Sequence, residues 1–298
     1  MRCEYVEKDP QGAQLSAMHL SQYVFLCHRA GNDDEEPGRR AMGFEMSQIA
    51  FTQASKGTFS YQEYREILKK IGSGLKRFHE AADLESFTIL RHDVEFSVAR
   101  AHKMALLERE QSVNSTFFFQ TRSSAYNPFS IKNKTLIHNI KDLGHHVGLH
   151  LYVSHLAEGD WGQLEAELQT QKQIFEAGLG LDCDCFSFHR PPRWVLENRN
   201  DEICGLLNTY GASFFEFSDQ PSHIKYIADS KHQWSYGHPL DDFAQNKVQI
   251  LIHPDEWSEQ GHDTKQNFAS LIDEHRAEFG DTLDGETRHF SRYREELT

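Results

Sequence analysis

Four groups of polar residues follow or interrupt apolar runs in this sequence and have the types that metal binding or acid–base chemistry requires. Asp93 and Glu95 come just after the run FTIL, and His150 lies within HVGLHLY. Arg190 follows CFSFH, and His253 follows VQILI. Isolated charges are costly to bury, so residues of this kind need partners, a metal ion or the mouth of a pocket. A divalent cation held by carboxylates and imidazoles, with one position open, is the chemistry that such a set would support.

Strands that alternate with helices would bring these groups together, because the carboxyl ends of parallel strands meet on one rim. The apolar runs predict strands at 87–90, 115–119, 146–152, 185–189, 213–217, 224–229 and 248–253. A helix is expected after Ser60, where Glu63 completes a capping box, and another from Asp160 to Glu176. Residues 263–297 predict an amphipathic helical tail. The alternation of strands and helices indicates an α/β protein built from parallel βα units.

The composition argues against two classes of partner. The 298-residue chain has a formal net charge of −14, whereas nucleic acids and anionic membranes are bound through basic faces. No apolar run reaches the roughly 18 residues that a transmembrane helix needs. The start, MRCEYVEKDPQGAQ, has mixed charge and no apolar core, so the sequence predicts no secretory signal and a cytoplasmic protein. Five cysteines, an odd number, indicate reduced thiols.

The motifs together resemble those of the polysaccharide deacetylases, the NodB-like carbohydrate esterases, in the subgroup whose first motif is RHDVD. The resemblance covers residues 59 to 257, and its motifs, in the family's order, are LRHDVEFS, STFFF with YNPFS, LGHHVGLHLY, FSFHRPP, KYIADSKHQWSYGHP and LIHPDEW. It implies a distorted seven-stranded (β/α) barrel over 56–298, preceded by an N-terminal extension at 1–55. It also implies a hydrolase that uses a divalent metal to remove an acyl group from a sugar nitrogen.

The resemblance implies roles for the acidic residues of the first motif. Asp93 corresponds to the general base and Glu95 to a metal ligand. In an alternative register, His92 is the base and Asp93 is the ligand, because the sequence alone does not fix which way each side chain points. A third interpretation, a surface ion-pair cluster, is disfavoured by the apolar run that precedes these residues.

The later motifs supply the remaining ligands and the general acid. His150 corresponds to a metal ligand, but the family's second histidine would fall at Ser154, so His155 is expected to take its place. His189 or a water molecule remains an alternative third ligand. Zinc is the default metal for a carboxylate–histidine site, with cobalt or nickel also open.

Proton handling and substrate contacts complete the expectations from the resemblance. Arg190 is expected to contact Asp93 and keep it ionised and oriented. His253 corresponds to the general acid that protonates the leaving amine, with Asp255 or Glu256 tuning its pKa. The aromatic residues expected to stack on a sugar ring are Trp234, Tyr236 and Trp257.

Two other classes of function stay open at this stage. The replacement of the second Asp by Glu95 and the shifted histidine spacing would also suit an inactive relative that binds a saccharide or a partner protein. An amidohydrolase acting on small non-sugar amides is the other alternative. Convergence of Asp93, Glu95, His150 and a further histidine on one point would favour an enzyme. The oligomeric state is not determined by the sequence.

Overall fold

The computed structural model describes residues 57–217 and 223–297, so the predicted N-terminal extension at 1–55 lies outside the described part of the chain. The strands are β1 Phe87–Val94, β2 Thr116–Phe119, β3 His146–Tyr152, β4 Cys185–His189, β5 Glu202–Ile203, β6 Leu206–Asn208, β7 Ile224–Ala228 and β8 Lys247–Ile252. The helices are α1 Tyr61–Ile71, α2 Phe78–Ala81, α3 Val98–Glu110, α4 Ile131–Asp142, α5 Trp161–Leu179, α6 Arg193–Leu196, α7 Thr264–Glu286 and α8 Arg294–Leu297. Two 3-10 helices lie at Pro254–Glu256 and Phe290–Arg292.

The strands form one sheet in the order β5-β6-β4-β3-β2-β1-β8-β7. Every neighbouring pair is parallel except β5 with β6. The α/β class predicted from the sequence is therefore confirmed. The described residues contain eight strands rather than the seven predicted, and β5 and β7 lie at the two edges of the sheet.

The predicted strand at 213–217 was wrong. This segment forms turns, in which Phe214 and Phe215 donate backbone hydrogen bonds to Gly211. The strand that pairs with β4 on this side of the sheet is β6, followed by β5 at the edge. Phe214 is fully buried and Phe215 nearly so, because both rings pack into the core from a turn. The apolar run at 213–217 therefore predicted buried side chains correctly, but it did not predict the secondary structure.

The predicted helix starts were confirmed. The hydroxyl of Ser60 accepts a hydrogen bond from the backbone of Glu63, as a capping box requires. The Glu63 carboxylate accepts from the backbone of Thr58 and Phe59 instead of Ser60, so the reciprocal half of the predicted box is displaced. Asp160 caps α5, which runs three residues past the predicted end and stops at Gly180, where φ is +73°. Glycine adopts this left-handed conformation without the steric cost that a Cβ would bring.

The C-terminal tail is less continuous than predicted, because α7 ends at Glu286 and only short helical segments follow. The buried Arg100 of α3 attaches α7 to the sheet domain. Its guanidinium donates to the side chains of Asn267, Ser270 and Glu274. None of the described helices is long and apolar enough to span a membrane.

Candidate metal centre

Three side chains, one just after β1 and one each from β3 and β4, bring one potential ligand atom each to a common point. His189 Nδ1 lies 2.7 Å from Glu95 Oε1 and 3.2 Å from His150 Nε2, and His150 Nε2 lies 3.6 Å from Glu95 Oε1. A tetrahedral ion with bonds of about 2.1 Å separates its ligand atoms by about 3.4 Å. The two distances from His150 Nε2 are close to this value, and the 2.7 Å contact between His189 and Glu95 is shorter, so binding an ion would require those two atoms to move apart. The donor types are those of a divalent-metal site.

The strand register explains how these residues meet. Glu95 directly follows β1, His150 lies in β3 and His189 ends β4, all toward the carboxyl ends of parallel strands. In the pairing of β3 with β4, His150 is opposite Ser187 and Tyr152 is opposite His189. Because side chains alternate along a strand, Ser187 and His189 point to the same face as each other.

The other side of the His150 ring is held by hydrogen bonds. Its Nδ1 lies 2.7 Å from Ser187 Oγ, and Ser187 Oγ donates to Asp93 Oδ1 at 3.0 Å. With Nδ1–H donating to Ser187, the lone pair on Nε2 points toward Glu95 and His189. Partners of this kind fix the tautomer and the orientation of a metal-binding histidine.

Arg91, rather than Arg190, is the arginine beside Asp93. Arg91 Nη2 lies 3.4 Å from Asp93 Oδ2, and the buried guanidinium also donates to Thr209 and Tyr210 at 2.6 Å. Arg190 is exposed, has a left-handed backbone with φ of +48°, and makes no hydrogen bond or ion pair with Asp93. The predicted Arg190–Asp93 contact is therefore not formed, because Arg91 shares the inner face of β1 with Asp93.

The alternative register based on His92 does not fit the structure. His92 is fully buried, and its Nε2 lies 2.5 Å from Glu108 Oε1 of α3 and 3.3 Å from the Tyr64 hydroxyl of α1. The strand alternation that brings Arg91 and Asp93 to one face turns His92 to the opposite one. His92 therefore belongs to a buried polar cluster under the helices. It lies away from the group formed by Glu95, His150 and His189, the metal group below.

His155 does not join the metal group. Its Nε2 lies 3.9 Å from Glu167 Oε1, and its ring stacks on Tyr152 with centroids 5.8 Å apart. The chain turns after β3, where the backbone N–H of Leu156 donates to Val153, so the histidine is carried toward α5. His189, the alternative kept open from the sequence, occupies the third position instead.

A second residue set adjoins the metal group through His253. The Nδ1–H of His253 donates to Asp229 Oδ1 at 2.6 Å, and its Nε2 lies 3.9 Å from Glu95 Oε1. Asp229 also accepts from the backbone of His253 and from Trp257 Nε1. Burial alone would lower the pKa of His253, but the carboxylates of Asp229 and Glu95 outweigh it and raise the pKa to about 10.

Asp229, rather than its neighbours, is the main partner of His253. The charge of Asp255 makes only the smallest contribution to raising the His253 pKa, and burial raises the pKa of Asp255 itself to about 8. Glu256 bonds to His232 at 2.7 Å. Asp229 was not among the site residues predicted from the sequence, although it directly follows the apolar run IKYIA, just as Asp93 and Glu95 follow FTIL.

The charge state of Glu95 suits a metal ligand. Burial would raise its pKa, but hydrogen bonds with His150 and His189 and the positive charge of His253 together lower it well below its ordinary value. The group is therefore an anion throughout the neutral range.

An open cavity of about 450 Å³ begins at the metal group. Its lining residues are Glu95, Phe96, Gln120, Arg122, Ser123, Ser124, Ala125, Tyr152, His189 and Arg190. Trp234 and Trp257, two of the three aromatic residues expected to stack on a sugar, are buried in the core instead. Tyr236 is exposed but lines a different cavity, with Phe217 and Arg193.

Comparisons with known proteins found similar structures, while no family model and no curated protein matches the chain. A family 4 carbohydrate esterase from Bacillus anthracis is 19% identical, over 77% of this chain and 93% of that one, with a TM-score of 0.36. A CE4 esterase from Streptococcus mutans is 14% identical, over 70% and 88%, with a TM-score of 0.41. A CE4 family pseudoenzyme from Bacillus anthracis is 13% identical, over 66% and 62%, with a TM-score of 0.38. These values assign neither family nor activity, so the function must come from the chain's own residues.

Proposed function

We propose that this protein is a metal-dependent hydrolase that removes an N-acyl group, such as acetyl, from a saccharide or sugar intermediate. The convergence of Glu95 Oε1, His150 Nε2 and His189 Nδ1, next to His253, carries the proposal. What favours an enzyme over an inactive binding module is that this group has a protonated histidine, His253, beside it and an open cavity in front of it. We also propose that the scaffold is a distorted barrel of the NodB-like type. The mostly parallel sheet is consistent with this part of the proposal.

The donor set of one carboxylate and two imidazoles fits a divalent ion, with zinc as the default. When bound, the ion would polarise the acyl carbonyl and lower the pKa of an attacking water. His253 carries a proton at neutral pH and presents Nε2 beside Glu95, where it can protonate the departing nitrogen. Asp229 keeps that proton on the ring and, through Nδ1, fixes the direction of Nε2.

Asp93, the expected general base, lies behind His150 rather than beside the atoms that face the cavity. Its carboxylate lies at the Nδ1 side of His150, 3.8 Å from that atom, while Glu95 and His189 meet Nε2. Both carboxylate oxygens already face partners, Ser187 and Arg91. We therefore propose that Asp93 orients His150 through Ser187 and that its effect on the reaction passes through the metal ligand.

The variant Asp93→Asn separates the two roles of this residue. A positioning role predicts weaker zinc binding together with slower turnover, and turnover that recovers partly at high zinc. A general-base role predicts unchanged zinc affinity with nearly complete loss of turnover at any zinc concentration. Zinc affinity from chelator competition and turnover from acetate release are the two measurements.

The substrate class is tested by acetate release from a panel of N-acetylated sugars and small amides, with and without added zinc. The proposal expects zinc-dependent release from sugars, abolished in His150→Ala. Release from small amides alone would support the amidohydrolase alternative. Saccharide binding without acetate release by the zinc-loaded protein would contradict the hydrolase assignment and favour a binding module.

A further inference from the structure

A second group of potential metal ligands lies at the opposite end of the strands that carry His150 and His189. His146 is the first residue of β3, Asp184 immediately precedes β4, and His79 lies in the short helix α2. Four residues of strand, about 13 Å, separate His146 from His150. The two groups are therefore distinct sites on the same pair of strands.

The ligand atoms of this group face each other. His146 Nε2 lies 2.7 Å from Asp184 Oδ1, and His79 Nε2 lies 3.5 Å from Asp184 Oδ2. The two imidazole rings are 5.4 Å apart in an edge-on arrangement. Each histidine thus turns a ring nitrogen toward a different oxygen of one carboxylate, and one donor atom from each of the three residues lies within 4.8 Å of the other two.

The surrounding structure holds the donors in place. The backbone of His146 donates to Ser115 as β3 begins. Next to His79, the fully buried ring of Phe78 packs edge-on against Phe118 and Phe214, which fixes α2 on the sheet. A group fixed in this way loses little conformational entropy when it binds an ion.

The charges also suit a cation. Although burial opposes it, hydrogen bonding to His146 and the charges of His146 and His79 lower the pKa of Asp184, which is therefore an anion at neutral pH. The nearby guanidinium of Arg77 is already paired with Glu80 at 2.7 Å. Two imidazoles and a carboxylate, partly open to solvent, form the donor set that zinc prefers, with water completing the coordination.

We propose that His79, His146 and Asp184 form a second zinc site, which clamps α2 to the starts of β3 and β4. The site takes no part in hydrolysis, because the candidate catalytic residues lie at the other end of these strands. Zinc bound there would link three segments that are distant in sequence and stabilise the folded state through mass action.

Zinc stoichiometry tests the second site without relying on activity. After dialysis against zinc, elemental analysis of the wild-type chain should give two zinc ions, and His79→Gln and Asp184→Asn should each give one. His289→Gln, which changes an exposed histidine in the C-terminal region, should keep two. A wild-type value of one that His150→Ala abolishes and His79→Gln leaves unchanged would overturn the second site while leaving the proposed hydrolase centre intact.

Thermal unfolding supplies an independent measurement in a background that lacks the hydrolase centre. In His150→Ala, zinc should still raise the melting temperature, and adding His79→Gln should remove that rise. A zinc-dependent rise that persists in the double variant would overturn the proposal. One zinc ion that is lost in His79→Gln but kept in His150→Ala would support the second site and contradict the hydrolase centre.

Discussion

The hydroxyl of Ser187 lies between Nδ1 of His150, at 2.7 Å, and a carboxylate oxygen of Asp93, at 3.0 Å. Ser187 is opposite His150 in the register of β3 with β4, so the bridge follows from the strand pairing. The bridge fixes the ring of His150 and leaves Nε2 free to bind a cation.

Replacing Ser187 by alanine should weaken zinc binding at the hydrolase centre by about 10- to 100-fold, the range typical of lost hydrogen bonds behind a ligand. The measurement is zinc affinity by chelator competition. It is made in the His79→Gln background, where only the hydrolase centre is expected to bind zinc. Ser154→Ala, an exposed serine just beyond β3, is the matched control and should bind zinc like its parent. Equal affinities in the two variants would show that the bridge does not support His150.

Replacing His189 by alanine should remove one zinc ion per chain, whereas His155→Ala should remove none. His189 Nδ1 meets Glu95 and His150, while His155 lies against Tyr152 and Glu167. Elemental analysis of both variants after dialysis decides between them. Zinc loss in His155→Ala with retention in His189→Ala would restore the ligand predicted from sequence and reject the observed geometry.

Replacing Asp229 by asparagine should shift the alkaline limb of the activity profile to lower pH. The carboxylates of Asp229 and Glu95 raise the pKa of His253 to about 10, with Asp229 contributing more, and a general acid loses activity as pH rises through its pKa. Removing the negative charge lowers that pKa, so activity falls at a lower pH. Turnover measured across the alkaline range should show this shift, with His253→Ala slower by about 100-fold or more. If the alkaline limb stays at the same pH in the Asp229 variant, a group other than His253 determines that limb.

Replacing Arg190 by alanine should raise KM while leaving kcat largely unchanged. Arg190 is a lining residue of the cavity beside His189 and makes no ion pair with Asp93, so we expect its loss to weaken substrate binding and leave the proton chemistry unchanged. A hydrogen bond to a charged group contributes about 1.5–3 kcal/mol, which corresponds to a KM increase of about 10-fold or more. A loss confined to kcat would instead indicate the contact with the catalytic centre that the sequence suggested.

Replacing His145 by glutamine should reduce the acid sensitivity of the fold. His145 is buried, accepts at Nδ1 from the backbone of Ser115 and donates from Nε2 to the carbonyl of Ala105. Burial lowers its pKa below the ordinary 6.5. As the pH falls, the unfolded chain therefore binds a proton at His145 at a higher pH than the folded chain does. This contribution to stability is present above pH 6.5 and is lost as pH falls toward the folded-state pKa.

Glutamine can make both backbone hydrogen bonds of His145 but does not titrate. Urea unfolding at about pH 8 and about pH 5.5 measures the effect as the change in unfolding free energy between the two values. That change should be smaller in the variant than in the wild type. An identical pH dependence in both proteins would show that His145 does not couple protonation to folding.

The sequence by itself indicated which residue types would gather and at which end of the strands. Carboxylates and imidazoles after buried runs indicated a metal site at the carboxyl ends of parallel strands, and Glu95, His150 and His253 lie there. Helix starts were also predictable, because the capping bonds of Ser60 and Asp160 involve residues only three positions away.

Only the tertiary structure decided which residues complete the site. His189 became the third potential ligand because β4 pairs with β3 in a particular register, and Asp229 reached His253 because β7 pairs with β8. Arg91 replaced Arg190 beside Asp93 because alternate residues of a strand share a face. Strand register and the facing of side chains depend on packing between segments far apart in the chain, so local spacing in a single sequence does not specify them.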